Sequence, residues 1–164
     1  MSQEETKSDE QRAWESTPDL VVLAIEQQAQ RLYGDERLDR ARELYEKLVK
    51  MRPRGSQYWA MLGVIHRRQG HLVRALKALE RAVDIQPENR NALVNFGEAL
   101  VLAGKPEEGA QILRAVFDMG YDPDKEAKDH DVITKRAGAQ LAVLHEIAQG
   151  VLSGEITRED LEGA

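Results

Sequence analysis

Glycine and proline recur in this chain at a fixed spacing of 34 residues, and this periodicity constrains the fold more than any other feature of the sequence. Gly63 is followed by Gly97, and Pro53 is followed by Pro87. A constant period of this length is typical of stacked structural repeats, in which each copy packs on the next. The three copies are predicted at residues 22–55, 56–89 and 90–123.

The second copy has the apolar spacing of two short helices joined by a turn. Its second half places apolar side chains at steps of four, three and four residues, at Leu72, Leu76, Leu79 and Val83. This spacing indicates one face of a helix and not the alternation of a strand. Gly70 marks the turn between the helices, and Pro87 ends the hairpin because proline cannot continue a helix. The sequence therefore predicts an all-α fold.

The segments that flank the repeats differ from them in composition. Residues 1–17 are polar and acidic, and we expect them to be a partly disordered N-terminal segment that includes a short helical stretch around Ala13 and Trp14. A helix at about 123–152 is predicted to close the array, and the folded domain is predicted at 18–152. Residues 153–164 are predicted to form an acidic tail.

The second copy resembles the tetratricopeptide repeat. The family pattern is met at Trp59, Leu62, Gly63, Gly70, Ala75, Ala82 and Pro87, with Leu79 in the phenylalanine position and His66 in the tyrosine position. The outer copies match less well, as terminal repeats commonly do. The resemblance implies a solenoid of three helical hairpins with an N-terminal helical segment and a long C-terminal capping helix. It also implies that these matched residues are packing positions.

The same resemblance implies a groove that is lined by the first helix of each hairpin. An extended peptide with two or three apolar anchors would suit its mixture of apolar, amide and charged side chains. The implied lining residues are Leu23, Glu26, Gln30, Tyr33, Gln57, Ala60, Val64, Arg67, Arg68, Asn91, Val94, Glu98, Val101 and Leu102.

One variety of tetratricopeptide groove is disfavoured. Domains of this family that hold the C-terminal carboxylate of heat-shock chaperones use lysine and asparagine on the first repeat, where this chain has Glu26 and Gln30. A glutamate would repel the carboxylate of such a peptide.

Catalysis and metal binding find no support in the sequence. The chain has no cysteine, and its histidines, at positions 66, 71, 130 and 145, include no pair at the i, i+4 spacing of a helical zinc site. The acidic run at 121–131 has Ala127 where a calcium-binding loop needs glycine. Phosphate-binding and nucleophile motifs are also absent from the sequence. We therefore expect no enzyme, no metal and no cofactor.

Positive charge is concentrated between Lys47 and Arg81, although the whole chain has a net charge of −6. This stretch contains nine basic residues and a single acid, Glu80. It could meet phosphate or an acidic protein segment, or it could be a solvated helix surface. Negative net charge and few aromatic residues argue against a nucleic-acid ligand.

The overall plan is similar to that of the class II (translocator) chaperones of bacterial type III secretion systems. The similarity lies in the order of a polar N-terminal segment, three repeats, a closing helix and a charged tail. It also includes the third repeat, which reads NALVNFGEALVLAGKPEEGAQIL. The resemblance implies a cytoplasmic bacterial chaperone that holds an extended segment of a secretion substrate and can form a homodimer through its N-terminal region. The alternative is a tetratricopeptide adaptor or scaffold in a multiprotein complex. No apolar run reaches the roughly 20 residues of a membrane span.

Overall fold

The computed structural model describes residues 8–157 and residue 160, and these residues are helical throughout apart from turns and short connections. The helices are α1 (Asp9–Glu15), α2 (Asp19–Gly34), α3 (Leu38–Met51), α4 (Ser56–Arg68), α5 (Leu72–Ile85), α6 (Arg90–Leu102), α7 (Pro106–Gly120) and α8 (Val132–Ser153), with a 3-10 turn at Ala127–Asp129. The prediction of an all-α fold built from helical hairpins is confirmed. The predicted N-terminal segment and C-terminal tail lie partly outside the described residues.

The hairpin turns repeat one backbone conformation at the predicted period. Glu36, Gly70 and Gly104 are 34 residues apart and have φ angles of 62°, 76° and 75°. Only glycine adopts this left-handed region without steric cost, which explains two of the three residues. Glu36 adopts the same left-handed conformation although it has a Cβ atom. Its carboxylate accepts a hydrogen bond from Arg68 at 2.6 Å.

The described chain divides into two compact units within α6, the first ending at Ala92 and the second beginning at Leu93. In the first unit, α4 and α5 approach closely at Gly63. A Cβ atom on Gly63 would lie 2.4 Å from Cγ of Leu79, which is shorter than any ordinary contact. Small and large residues at these repeat positions therefore have the packing role that the repeat pattern predicts.

The core of the first unit is formed mainly by α2, α3 and α4, and α1 packs against it. Its fully buried side chains include Tyr45, Leu48 and Ile65, and Trp14 of α1 packs against the same cluster. Arg52 donates hydrogen bonds to the carbonyl oxygens of Glu15 (3.3 Å), the last residue of α1, and of Thr17 (2.7 Å) just after it. The short helix α1 is thus held on the repeats by an apolar and a polar contact.

The second unit repeats the close hairpin and adds the closing helix. A Cβ on Gly97 would lie 2.9 Å from Cγ of Leu113, the counterpart of the contact at Gly63. Val94 of α6 and Ala137 of α8 are both fully buried in the core of this unit, together with Leu113 and Val116. The closing helix therefore packs against the third hairpin, as an amphipathic helix of this kind was expected to do.

The predicted start of the closing helix near residue 123 is wrong, because α8 begins at Val132. The carboxylate of Asp131 accepts hydrogen bonds from the backbone N–H groups of Ile133 (2.9 Å) and Thr134 (3.0 Å), which makes it the N-cap. The ring of His130 stacks on that of Tyr121 at 5.1 Å, and its Nε2 atom lies 3.0 Å from the carbonyl oxygen of Asp122. These contacts fold the preceding segment into a turn.

Candidate functional site

The first helices of the first two hairpins, α2 and α4, line two adjoining cavities in the first unit. The larger cavity, about 800 Å³, extends from α1 and α2 to the loop before α4, and the smaller one measures about 290 Å³. Glu26, Gln57 and Tyr58 border both cavities. We use the name α2–α4 surface for seven residues of this lining, all from α2 and α4, which are Leu23, Glu26, Gln30, Tyr33, Gln57, Tyr58 and Met61.

A partly buried hydrogen bond joins α2 and α4 in the middle of the α2–α4 surface. The hydroxyl of Tyr58 donates to Oε2 of Glu26 at 2.9 Å, and the side-chain amide of Gln30 donates to the other carboxylate oxygen at 3.3 Å. Tyr58 is only 6% exposed, so this bond is largely shielded from solvent. Glu26 therefore joins two helices and is not a free charge in the cavity.

Two tyrosines, Tyr45 and Tyr58, are influenced by that carboxylate. Burial, followed by the charge of Glu26, raises the pKa of Tyr45 to about 12. Burial and the hydrogen bond to Glu26 also raise the pKa of Tyr58. Both hydroxyl groups consequently stay protonated at neutral pH, and the phenol of Tyr58 keeps donating to the carboxylate. The phenols of Tyr45 and Tyr58 therefore add no charge to the smaller cavity, which both border.

A basic residue, Arg68, contacts the α2–α4 surface at Tyr33. The guanidinium of Arg68 lies 5.0 Å from the ring centre of Tyr33, in cation–π contact, while it also pairs with Glu36. The hydrogen bond and charge of Arg68 lower the pKa of the Glu36 carboxyl. This end of the surface thus offers an aromatic face and a charge already balanced within the chain.

The predicted groove residues of the first unit are brought together only in part. Leu23 borders the larger cavity, Gln30 and Tyr33 border the smaller one, and Glu26 and Gln57 border both. Arg68 lies against Tyr33. Their role in binding a peptide stays a prediction.

The remaining predicted residues of the first unit lie elsewhere. Ala60 is 7% exposed and packs with Ala82 and Ala92, and Val64 is 9% exposed. In this structure both side chains serve internal packing. Asn91 is exposed and Arg67 is half-buried, and neither borders the two cavities.

Of the groove residues predicted on the third hairpin, some are buried and one is exposed. Val94 is fully buried, and Glu98, which is 7% exposed, accepts a hydrogen bond from Nε of Arg136 at 2.6 Å. Their side chains contact the closing helix and are not open to a peptide in this arrangement. Val101 is half-buried against Gly109, whereas Leu102 is 62% exposed.

Tyr58, Met61 and Tyr45 were not predicted as groove residues, although they line the smaller cavity. Met61 follows Gln57 by four residues and lies on the same face of α4, whereas Tyr58 is the next residue after Gln57 and is turned by about 100° from it. Tyr45 occupies a packing position of the repeat, and the sequence holds no signal that its ring would also border a cavity. The four-residue spacing from Gln57 was the available clue to Met61.

The basic stretch between Lys47 and Arg81 is partly used inside the chain. Arg52 holds the end of α1 and also pairs with Asp19 at 2.6 Å, and Arg68 pairs with Glu36. The ammonium group of Lys50 lies 5.8 Å from the ring centre of Trp14. These contacts reduce the positive charge that this stretch presents to a partner.

The described residues contain neither a metal-binding cluster nor a helix that could span a membrane. Within 8–157 and 160, no group of three or more histidine, aspartate or glutamate side chains could hold a metal ion. Over the same residues, no helix is both long enough and apolar enough to cross a membrane.

Comparison with known families and structures gives matches to one kind of repeat. Two family models, both described as tetratricopeptide repeat, match residues 26–90 and 66–128. No curated protein sequence matches the chain.

Solved structures match over most of the chain at low sequence identity. The Yersinia enterocolitica type III secretion translocator chaperone SycD is 12% identical, with 84% of this chain and 99% of that chain covered and a TM-score of 0.69. PcrH, solved in complex with the chaperone-binding region of PopD, is 17% identical, with coverage of 80% and 96% and a TM-score of 0.67. The first tetratricopeptide domain of Spaghetti, bound to the HSP90 peptide SRMEEVD, is 16% identical, with coverage of 76% and 90% and a TM-score of 0.64.

Proposed function

The chain belongs to the tetratricopeptide repeat family, and from this premise we propose that it is a non-catalytic protein-binding module that holds an extended segment of a partner on the α2–α4 surface. The observation that carries the proposal is the pair of adjoining cavities on that surface. Together they provide apolar side chains at Leu23 and Met61 and exposed amides at Gln30 and Gln57. Apolar pockets can seat the anchors of an extended peptide, and the amides can pair with its backbone.

The size of the surface fits a peptide and not a large folded interface. The combined cavities are bordered by residues of α1 to α5 and of the loop before α4, and some of their polar groups are already paired, as Glu26 is with Tyr58. A preorganised floor lowers the entropy cost of binding a flexible segment. Specificity then depends on the shape of the apolar anchors more than on charge.

A finer role follows from the likeness to SycD and PcrH. We propose that the chain is a cytoplasmic chaperone of a secretion system, which keeps an aggregation-prone substrate soluble by holding one extended segment of it. The support is the likeness in fold to SycD, a type III secretion translocator chaperone, and to PcrH, which was solved in complex with the chaperone-binding region of PopD. A homodimer formed through the N-terminal region remains a prediction from the family resemblance.

The test is isolation of the complex from the source cell, followed by hydrogen exchange on the bound partner. A chaperone is expected to retain a partner whose amides exchange rapidly except in one short protected segment. A partner that is protected throughout its length is folded, and that result would replace the chaperone by an adaptor within a multiprotein complex.

A matched pair of variants connects this experiment to the proposed surface. Gln57→Arg places a long charged side chain over both cavities and is expected to release the partner. Gln111→Arg makes the same change at an exposed position of α7 and should have no effect. Equal loss of the partner from both variants would mean that the α2–α4 surface is not the binding site.

A further inference from the structure

A cavity of about 520 Å³ lies in the second unit, between the end of α7, the turn that follows it and the start of α8. Its lining comes entirely from the segment between Phe117 and Ala139, so it shares no residue with the two cavities of the first unit. The lining combines aromatic rings, small residues and three lysines. Among the described residues, no aspartate or glutamate borders this cavity.

Three stacked aromatic rings form one wall of the cavity. The ring centres of Phe117 and Tyr121 are 4.9 Å apart, and the ring of Tyr121 stacks on that of His130 at 5.1 Å with the two planes 1° apart. His130 is buried, with its Nε2 atom 3.0 Å from the carbonyl oxygen of Asp122, whereas Tyr121 is half exposed. The stack therefore orients the ring of Tyr121 and leaves part of it uncovered. An aromatic side chain of a ligand can pack on that part.

Small residues leave the space in front of this wall open. Ala127 of the turn and Gly138 and Ala139 of α8 border the cavity. A Cβ atom on Gly138 would lie only 3.0 Å from Cε2 of Phe117, so α8 lies close to α7 at this point. A cavity of about 520 Å³ is within the range of known ligand pockets, about 300–1,000 Å³.

The three lysines bring positive charge to the cavity, and the acids that pair with two of them lie outside its lining. Lys125 pairs with Asp122 at 3.4 Å, and Lys128 pairs with Glu126 at 2.9 Å. Both pairs are exposed to solvent and therefore weak, so a carboxylate of a ligand can compete for either lysine. The ammonium group of Lys135 donates to the carbonyl oxygen of Lys128 at 2.8 Å, and no carboxylate of the described residues pairs with it.

The arrangement of these charges favours an acidic peptide over a single small anion. A lysine ammonium is a point charge on a flexible stem and lacks the planar fork with which arginine holds one phosphate or carboxylate. Lys125 and Lys128 lie in the turn, whereas Lys135 lies at the start of α8. The lysines can therefore pair with carboxylates at separate points along an extended chain.

We propose that this cavity is a second binding site, which takes an acidic segment of a partner protein. An aromatic side chain of the segment covers the ring of Tyr121, and carboxylates on either side of it pair with Lys128 and Lys135. The site belongs to the second unit and the α2–α4 surface belongs to the first, so the two recognise different segments. The proposal does not depend on the function of the α2–α4 surface, because none of its residues takes part.

Two tripeptides test this site, N-acetyl-Glu-Phe-Glu-amide and N-acetyl-Gln-Phe-Gln-amide, which match in size and differ in charge. Each is titrated into the isotope-labelled full chain, and the backbone amide signals of Gly138 and Ala139 are followed by NMR. We expect the acidic peptide to shift these signals and to bind about fivefold more tightly at low salt, as two exposed ion pairs would provide. The difference should shrink at about 0.5 M salt, which screens exposed charges. Equal affinity of the two peptides at low salt, or no shift of the two signals, would overturn the proposal.

A pair of charge-reversal variants identifies the lysine that recognises the acid. Lys135→Glu is expected to abolish the preference for the acidic peptide. Lys77→Glu is the matched control, because Lys77 is an exposed lysine of α5 that does not border the cavity, and it should retain the preference. A preference that persists in a folded Lys135→Glu variant contradicts the assignment, and the comparison of the two peptides on the wild-type chain tests it even if that variant does not fold.

Two other occupants of the cavity are distinguished by the same NMR signals. If the signals of Gly138 and Ala139 shift when the protein alone is diluted, a second copy of the chain occupies the cavity. If inorganic phosphate shifts them as strongly as the acidic peptide does at the same concentration, the cavity is a simple anion site. Either result would overturn the proposal.

Discussion

Tyr58 donates its hydroxyl hydrogen to Oε2 of Glu26 across 2.9 Å, and this bond ties the first helix of the second hairpin to the first helix of the first. The donor is 6% exposed, and its acceptor is a carboxylate. Hydrogen bonds to charged groups are stronger than neutral ones. The bond therefore both stabilises the first unit and shapes the surface to which we assign partner binding.

Tyr58→Phe removes this bond while it keeps the ring. We expect a loss of about 1–3 kcal/mol in the free energy of unfolding, because the carboxylate of Glu26 loses a shielded donor. Urea unfolding followed by circular dichroism measures it. Tyr121→Phe is the control, since the ring of Tyr121 is 49% exposed and should lose little. Equal stability of the two variants would mean that the Tyr58 hydroxyl is not a structural link.

The raised pKa of Tyr45 predicts a loss of stability at alkaline pH. In the unfolded chain tyrosine ionises near pH 10, whereas burial and the charge of Glu26 raise the pKa of Tyr45 to about 12 in the folded state. The stabilisation is therefore complete below pH 10 and is lost as the pH rises from 10 to 12, by about 2–3 kcal/mol.

Absorbance at 295 nm measures this titration directly. Two of the four tyrosines are expected to ionise above the normal range in the folded protein, and all four are expected to ionise together in urea. Tyr45→Phe should remove the latest step. A single transition near pH 10 in the folded protein would contradict the described surroundings of Tyr45.

The close contact at Gly63 predicts that a single methyl group there is costly. Gly63→Ala places a Cβ 2.4 Å from Leu79, so that α4 and α5 must separate, and we expect a loss of about 1–3 kcal/mol. Gly34→Ala is the control, because nothing lies within 4 Å of a Cβ at that position. Helix propensity alone would leave Gly34→Ala neutral or up to about 1 kcal/mol more stable. A Gly63→Ala variant that matches this control in urea unfolding would refute the hairpin packing.

Two apolar residues of α6, Val94 and Leu102, differ in burial, and we expect the same substitution to affect stability very differently at the two positions. Val94→Glu forces a carboxylate into the core of the second unit, where Val94 is fully buried, and should cost roughly 3 kcal/mol or more. Leu102→Glu changes a side chain that is 62% exposed and should leave the thermal midpoint almost unchanged. If both variants melt alike, α8 does not cover Val94 in solution.

The sequence predicts the hairpins well because their packing is local and repeated. Gly63 with Leu79, and Gly97 with Leu113, occupy equivalent repeat positions, and each contact lies within one hairpin. The repeat pattern alone therefore specifies which glycine faces which leucine.

Residues outside the repeat pattern explain what sequence reasoning missed. Val94 and Glu98 were assigned to a groove because the pattern describes each hairpin in isolation and does not say which face a closing helix covers. Ala137 and Arg136 of α8 supply that information only through tertiary contact. Similarly, the turn before α8 depends on the contact of His130 with the carbonyl oxygen of Asp122 and on Asp131 as the N-cap. Neither interaction can be predicted from helical periodicity.

Site-specific photo-cross-linking in the source cell tests the central claim, that one extended segment of a partner lies on the α2–α4 surface, most directly. A photoreactive residue replaces Gln57 on that surface or, as a control, Gln111 on α7, and mass spectrometry maps the cross-linked peptides. We predict that the residue at position 57 couples to one short segment of a single partner and that the residue at position 111 does not. Cross-links from both positions to the same sites, or none from position 57 while the partner still co-purifies, would contradict the claim.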